Sequence, residues 1–235
     1  MGLFADKYPD VPYDEKLRLW EEVKADGRFP DYLYGCYECG ICVAACPSAR
    51  FYDFSPRKIA QAAAREDIEL IFEQMNDDVW NCSQCFSCNR CPRQNSPGGL
   101  ITILREVAVN NGLKSAQQAL EGYSRIVYKI MGTGTQVSPD MLQPDAFPDW
   151  GPDVKRVSDE LDLWRRALPP ETLHTTRTGW EVSEKTLIEL YLIWYNTGVM
   201  DMIANVDEGL NLILSDVMEE LLEEAGYDVD EFYDD

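Results

Sequence analysis

The chain contains eight cysteines, and all of them fall in two tight runs. Cys36, Cys39, Cys42 and Cys46 read C-x2-C-x2-C-x3-C, closed by Pro47. Cys82, Cys85, Cys88 and Cys91 read C-x2-C-x2-C-x2-C, closed by Pro92. Thiolates are soft ligands, and four saturate one [4Fe–4S] cubane, so eight suffice for two. The short spacers let backbone wrap a cubane and aim amide N–H groups at its sulfides, and such hydrogen bonds help set a reduction potential. Gly35 and Gly40 remove side chains where that backbone must come close. No cysteine is left over for a disulfide or a nucleophile, so the expected chemistry moves electrons rather than chemical groups. The competing reading is structural zinc, one ion per run. Zinc sites usually split their cysteines into two knuckles across a longer loop, which neither run does.

In two-cluster ferredoxin arrangements the fourth cysteine of a run serves the other cluster. On that rule one cluster takes Cys36, Cys39, Cys42 and Cys91, and the other takes Cys82, Cys85, Cys88 and Cys46. Crossing would hold the two cubanes close enough to form an electron wire. The second run is one residue shorter between Cys88 and Cys91, so its fourth ligand must approach by a different path.

The elements that must position these runs read as helices. Leu17, Trp20 and Val23 recur on one side of a helix over 13–25. Ser55-Pro56 is a helix start, with Ser as N-cap and Pro at the first helical position. The apolar spacing of Ile59, Ala62, Ala63, Ile71, Phe72 and Met75 then predicts one helix over 57–76. Ser96-Pro97-Gly98-Gly99 reads as a break before a helix over 100–110, closed by Asn111-Gly112. A further helix follows over 114–131. Gly and Pro then make 132–153 an irregular linker, and helices are expected over 154–167, 183–197 and 208–225. The fold class is therefore mainly α. Three regions are expected: a cluster-binding domain over 1–131, the linker over 132–153, and a helical interaction region with an acidic tail over 154–235.

The net charge is −21. Thirteen acidic residues and no Lys or Arg lie after residue 200. A surface of this sign argues against nucleic acid and against an anionic membrane as partners. The most apolar stretch, 187–203, contains Glu189, Asn196 and Asp201, so it reads as a core helix and not a membrane span. Residues 1–10 have neither a basic region nor an apolar stretch of the secretory kind. A cytoplasmic setting is expected, where reduced thiols serve as ligands.

Two cysteine runs separated by a helical insert differ from the small bacterial ferredoxins and resemble the α-helical ferredoxin domain. More specifically, the chain resembles the C subunit of heterodisulfide reductase over about residues 30–112. The resemblance is carried by GCYECGICVAACP, the SPRKIAQAA helix start, DDVWNCSQCFSCNRCP and the PGGLITILREVAVNNG helix. It implies an α-helical ferredoxin domain followed by a helical C-terminal extension. It also implies a non-catalytic relay, passing electrons between a flavin-bearing A subunit and an iron–sulfur B subunit where disulfide chemistry occurs. The long region after Gly112 looks more like the heterodisulfide-reductase-like complexes of sulfur oxidation. A quinone-linked respiratory iron–sulfur subunit is the alternative, although such subunits carry a further cluster motif upstream and only 35 residues precede Cys36.

Other features weigh less. His174 is the single histidine and lacks a second ligand set. Gly132-Thr-Gly-Thr135 lacks the Lys-Ser/Thr ending of a phosphate loop. Trp164, Trp180, Trp194 and Tyr191 read as core rather than as a docking surface. Arg50, Arg57, Arg90 and Arg93 lie near the cysteine runs, as surface ion-pair partners or as groups that raise a cluster's potential. The acidic tail reads as a solvated end, with partner docking as the weaker alternative.

Overall fold

The structure, a computed structural model, describes residues 11–133, 160, 163, 166 and 183–226. Among these the chain is helical and holds no strand. It divides into two compact units, Met1–Ala119 and Leu120–Asp235.

In the first unit α1 (Tyr13–Ala25) starts after Pro12, with Asp14 and Glu15 in its first turn and Lys24 in its last, as the helix dipole favours. Its buried face is Leu19, Trp20 and Val23, while Leu17 is exposed. Lys16 completes that stripe. Its Nζ lies 5.3 Å from the Phe72 ring centroid and 2.6 Å from Glu69 Oε2. The stem of a lysine covers apolar surface as well as a leucine does, so the i, i+3, i+4, i+7 pattern runs through a charged residue. A short α2 (Phe29–Tyr32) follows, then a single turn α3 (Ile41–Ala44) inside the first cysteine run.

The expected helix over 57–76 is two helices. Ser55 Oγ caps α4 (Pro56–Arg65) by accepting from the Lys58 N–H at 3.3 Å. Glu66 ends it in a left-handed conformation with φ 51°, and Asp67 Oδ1 then caps α5 (Ile68–Asn76). With that corner in place Ile59, Ala60, Ala63, Ile71 and Met75 are all inward. The Trp80 indole N–H donates to Met75 O at 3.0 Å and fastens the turn after α5.

The helix after the second run also begins earlier than its glycines suggest. Ser96 Oγ accepts from the Gly99 N–H, and α6 (Pro97–Asn110) includes both glycines. It is apolar nearly all round: Leu100, Ile101, Ile103, Leu104, Val107, Ala108 and Val109 are buried. That pattern belongs to a central helix, and α1, α2, α4 and α5 pack on it. Asn111 and Gly112 (φ 60°) close it as expected. The Ser115 hydroxyl donates to Asn76 Oδ1 at 3.0 Å and ties the start of α7 (Lys114–Thr133) to the end of α5.

In the second unit α8 (Glu184–Asn196), α9 (Val199–Val206) and α10 (Glu208–Glu224) pack together. The apolar stretch 187–203 is not one helix, because Gly198 takes φ 77° and divides it. Met131, Leu187, Tyr191, Met200, Leu210, Leu214 and Met218 form the core, with Trp194 packed against it. Tyr191 and Trp194 are thus core residues in this unit. The expected linker over 132–153 begins two residues late, because α7 runs through Thr133; the rest of it, most of the expected helix over 154–167, His174, Trp164 and Trp180 lie outside the described residues. No described helix is long and apolar enough to cross a membrane.

Candidate metal centre

The two cysteine runs trace the same backbone path. In each, the third residue takes a left-handed conformation, Glu38 at φ 59° and Gln84 at 52°. Its N–H then turns back to the first cysteine: Glu38 N and Gln84 N each lie 3.4 Å from the Sγ of Cys36 and Cys82. The residue after the second cysteine is left-handed again, Gly40 at φ 79° and Phe86 at 56°. Exposure follows the same order. Cys39 and Cys85 are exposed, Cys42 and Cys88 are buried, and Cys36 and Cys82 lie between. The runs part after the third cysteine. The first makes a four-residue α turn, Ile41–Ala44, and the second a three-residue 3-10 turn, Ser87–Asn89. A 3-10 turn needs fewer residues, which accounts for the missing residue between Cys88 and Cys91.

One cavity is lined by Cys36, Cys39, Cys42 and Cys91, together with Arg57, Ala60 and Asn95. Three thiols come from the first run and one from the end of the second. Cys46, the last cysteine of the first run, is an electrostatic neighbour of Cys82 in the second. Burial pushes the Cys42 thiol up, the Val43 amide opposes it, and Cys36, Cys91 and Cys39 add to the rise. Burial likewise raises Cys82, against the Gln84 amide and the Arg105 guanidinium. Cys88 is pushed up to about 12, chiefly by burial, and its neighbours Cys82 and Cys42 add to this. Cys85 is shifted down by the Ser87 hydroxyl and amide. Buried thiols that suppress one another's ionisation become ligands only with positive charge among them, and iron ions supply that charge. Among the described residues no three Cys, His, Asp or Glu side chains converge on one point as a single bound ion requires. Four thiols around one cavity are the donor set that a [4Fe–4S] cluster takes.

Each run is held at its approach. The segment before Cys36 lies along 93–96. Tyr32 O accepts from Ser96 N at 3.0 Å, and Tyr34 O from Arg93 Nε at 2.9 Å. The buried Asn95 side chain accepts from Tyr34 N at 2.7 Å and donates to Gly35 O at 2.6 Å. The Arg93 guanidinium also donates to Tyr37 Oη at 2.8 Å and stacks on that ring. Before Cys82 the anchor is Arg105. Its Nε donates to Val79 O at 2.9 Å and its Nη2 to Cys82 O at 2.7 Å.

One stripe of α6 serves the second run. A Cβ on Gly98 would lie 3.4 Å from Cys88 Sγ and 2.9 Å from the Phe86 ring. Thr102 Oγ1 donates to Gln84 Oε1 at 3.0 Å, and Arg105 reaches Cys82. Positions i, i+4 and i+7 thus read the run backwards from its third cysteine to its first.

Among the arginines singled out from sequence, Arg57 lines the cavity and Arg93 braces the first run, while Arg50 and Arg90 are exposed. Asn95, Gly98 and Arg105 were not anticipated. The one local signal was an arginine inside an otherwise apolar helix.

The 4Fe-4S dicluster domain family matches residues 32–95. The likeness to the C subunit of heterodisulfide reductase holds. The chain is 41% identical over 108 residues to the C subunit of the ferredoxin:CoB-CoM heterodisulfide reductase of Methanosarcina acetivorans, covering 45% of this chain and 42% of that one. A second C subunit from that organism, of its ferredoxin/F(420)H(2)-dependent CoB-CoM heterodisulfide reductase, is 35% identical over 43% of this chain and 57% of its own. The C subunit of the H(2):CoB-CoM heterodisulfide,ferredoxin reductase of Methanothermobacter thermautotrophicus is 33% identical over 39% and 48%. The chain thus spans about half the length of the curated relatives it matches. More than half of the first Methanosarcina relative also lies outside the match. A long unmatched region therefore does not separate this chain from its methanogen relatives.

Proposed function

We propose that this chain is the electron-relay subunit of a cytoplasmic heterodisulfide-reductase-like complex. It holds two [4Fe–4S] clusters on crossed ligand sets, Cys36, Cys39, Cys42 with Cys91, and Cys82, Cys85, Cys88 with Cys46. The observation that carries the reading is the single cavity lined by Cys36, Cys39, Cys42 and Cys91. A bound [4Fe–4S] cubane takes up and gives back one electron with little change in structure. The chain's part is to fix thiols, turn the Glu38 and Gln84 amides onto sulfur, and keep Cys42, Cys46 and Cys88 from solvent. The exposed cysteines, Cys39 and Cys85, give each ligand set a face toward solvent where an electron can enter or leave. The partners in this reading are a flavin-bearing A-type subunit and a B-type subunit active on thiols and disulfides. Sulfur oxidation is one setting for such a complex, and the relatives' names favour the reductive direction equally.

The test is anaerobic purification with iron, sulfide and zinc counts, followed by EPR of the dithionite-reduced protein. About eight irons with spin-coupled signals are expected of two neighbouring cubanes. Zinc in place of iron overturns the redox reading in favour of a structural adaptor.

A further inference from the structure

We propose that Arg105 both positions the second cysteine run and raises the reduction potential of the cluster held there. The inference rests on the two-cluster reading and adds a residue that controls one cluster and not the other.

The placement of the guanidinium carries it. The turn Asp78–Asn81 delivers Cys82, and its carbonyls point at α6. Arg105 Nε and Nη2 take the carbonyls at the two ends of that delivery, Val79 O and Cys82 O. The second of these belongs to a cysteine of the ligand set. The guanidinium carbon also sits 5.2 Å from the centroid of the buried Trp80 ring. Two carbonyls and a ring face fix the plane of the fork, so its position is not free to relax.

A fixed positive charge beside a cluster favours the reduced, more negative state and so raises the potential. Part burial keeps water from screening it as it screens the exposed Arg93 of the first run. At the first run's approach the buried side chain is the neutral Asn95, and the arginine beside it, Arg93, is exposed. Hydrogen bonding alone could be supplied by either residue type; Arg105 adds a part-buried charge at the anchor, where Arg93 adds an exposed one. Lysine preserves the charge but cannot span both carbonyls in one plane.

The experiment uses the full chain loaded with iron, as wild type, R105Q and R105K, with C85S identifying which EPR signal belongs to the second site. Iron is counted, and each signal is followed through a potentiometric titration. The expected result is about eight irons in all three proteins. R105Q should lower the second-site midpoint and leave the first unchanged, and R105K should recover most of the shift. If R105Q drops to about four irons while R105K keeps both sites with a midpoint close to wild type, the charge-assisted hold is equally supported. Unchanged midpoints in a fully loaded R105Q overturn the inference. So does loss of the second site in both variants, because the arginine would then act through its packing alone. Wild-type protein that never holds two clusters brings down the two-cluster reading itself, a result distinct from either.

Discussion

The first and second cysteine runs share a backbone path and differ in what holds it. The first has glycine at its second left-handed position, an α turn, and a buried neutral amide beside an exposed guanidinium at its approach. The second has phenylalanine there, a 3-10 turn, and a guanidinium. The common path is set by the ligand geometry, because turning the third residue's N–H onto the first sulfur needs a left-handed backbone whatever the side chain. The anchors are set by the neighbours. α6 runs along the second run closely enough that a Cβ on residue 98 would meet the Phe86 ring at 2.9 Å, whereas Gly40 has only the Arg57 side chain within ordinary contact distance. A repeated motif therefore fixes the backbone path and leaves the anchors to be chosen separately at each copy.

The largest effect should come from C91S. Crossed ligation predicts the loss of about half the iron, leaving the EPR signal that C39S leaves. A residual signal matching that of C85S would show instead that each run keeps its own fourth cysteine. The glycines at the start of α6 come next. A Cβ on Gly99 would lie 2.6 Å from the Tyr32 ring and 2.8 Å from the capping Ser96 Oγ. G99A should cost about 1–3 kcal/mol, read as a fall in melting temperature. G98A should cost less, because the part-exposed Phe86 ring can swing aside. Equal losses would mean that the two glycines matter for backbone conformation and not for close approach. N95A leaves Tyr34 N–H and Gly35 O without their partner, and a cost of about 1–3 kcal/mol is expected in chemical denaturation. Its second-site midpoint should stay at the wild-type value; a shift there would erase the distinction between the two anchors.

The smallest effect concerns Asp78, in the turn that delivers Cys82. Burial holds its carboxyl above the usual range, only partly offset by Lys58 and the Gln74 side chain, while Asp77 and Glu73 add to the rise. A folded pKa above the unfolded one means that stability is gained as pH falls through that window. Above that window the folded state carries the cost of the part-buried charge. D78N should therefore melt slightly higher than wild type near pH 7, and the difference should vanish toward pH 4. A gap that widens on acidification would contradict the assignment.

Much of the site was legible because its determinants are local. The cysteine spacing, the Ser55-Pro56 start and the Asn111-Gly112 stop each lie within a few residues of what they control. What escaped lies at longer range or breaks a local rule. Lys16 sits in an apolar stripe and hides its period. Glu66 ends a helix without being Gly or Asn. Gly98 and Gly99 look like a break, yet they sit in the first turn of a helix that Ser96 caps, at positions where the Phe86 and Tyr32 rings come close. Arg105 reaches carbonyls more than twenty residues back, a relation that no window of sequence contains.

The cavity whose walls run from Cys36 to Pro97 also bears on how the protein is made. Translation is vectorial, and domains generally fold as they are completed. When the first three cysteines leave the ribosome, the fourth wall of their cavity has not yet been synthesised, and under the proposed crossed ligation Cys46 has no second run to join. Assembly machinery arriving early would meet an open, incomplete thiol set. Maturation should thus fall after residue 97 has emerged, with both centres filled in one episode, so a ribosome stalled between the two runs should yield a nascent chain free of iron.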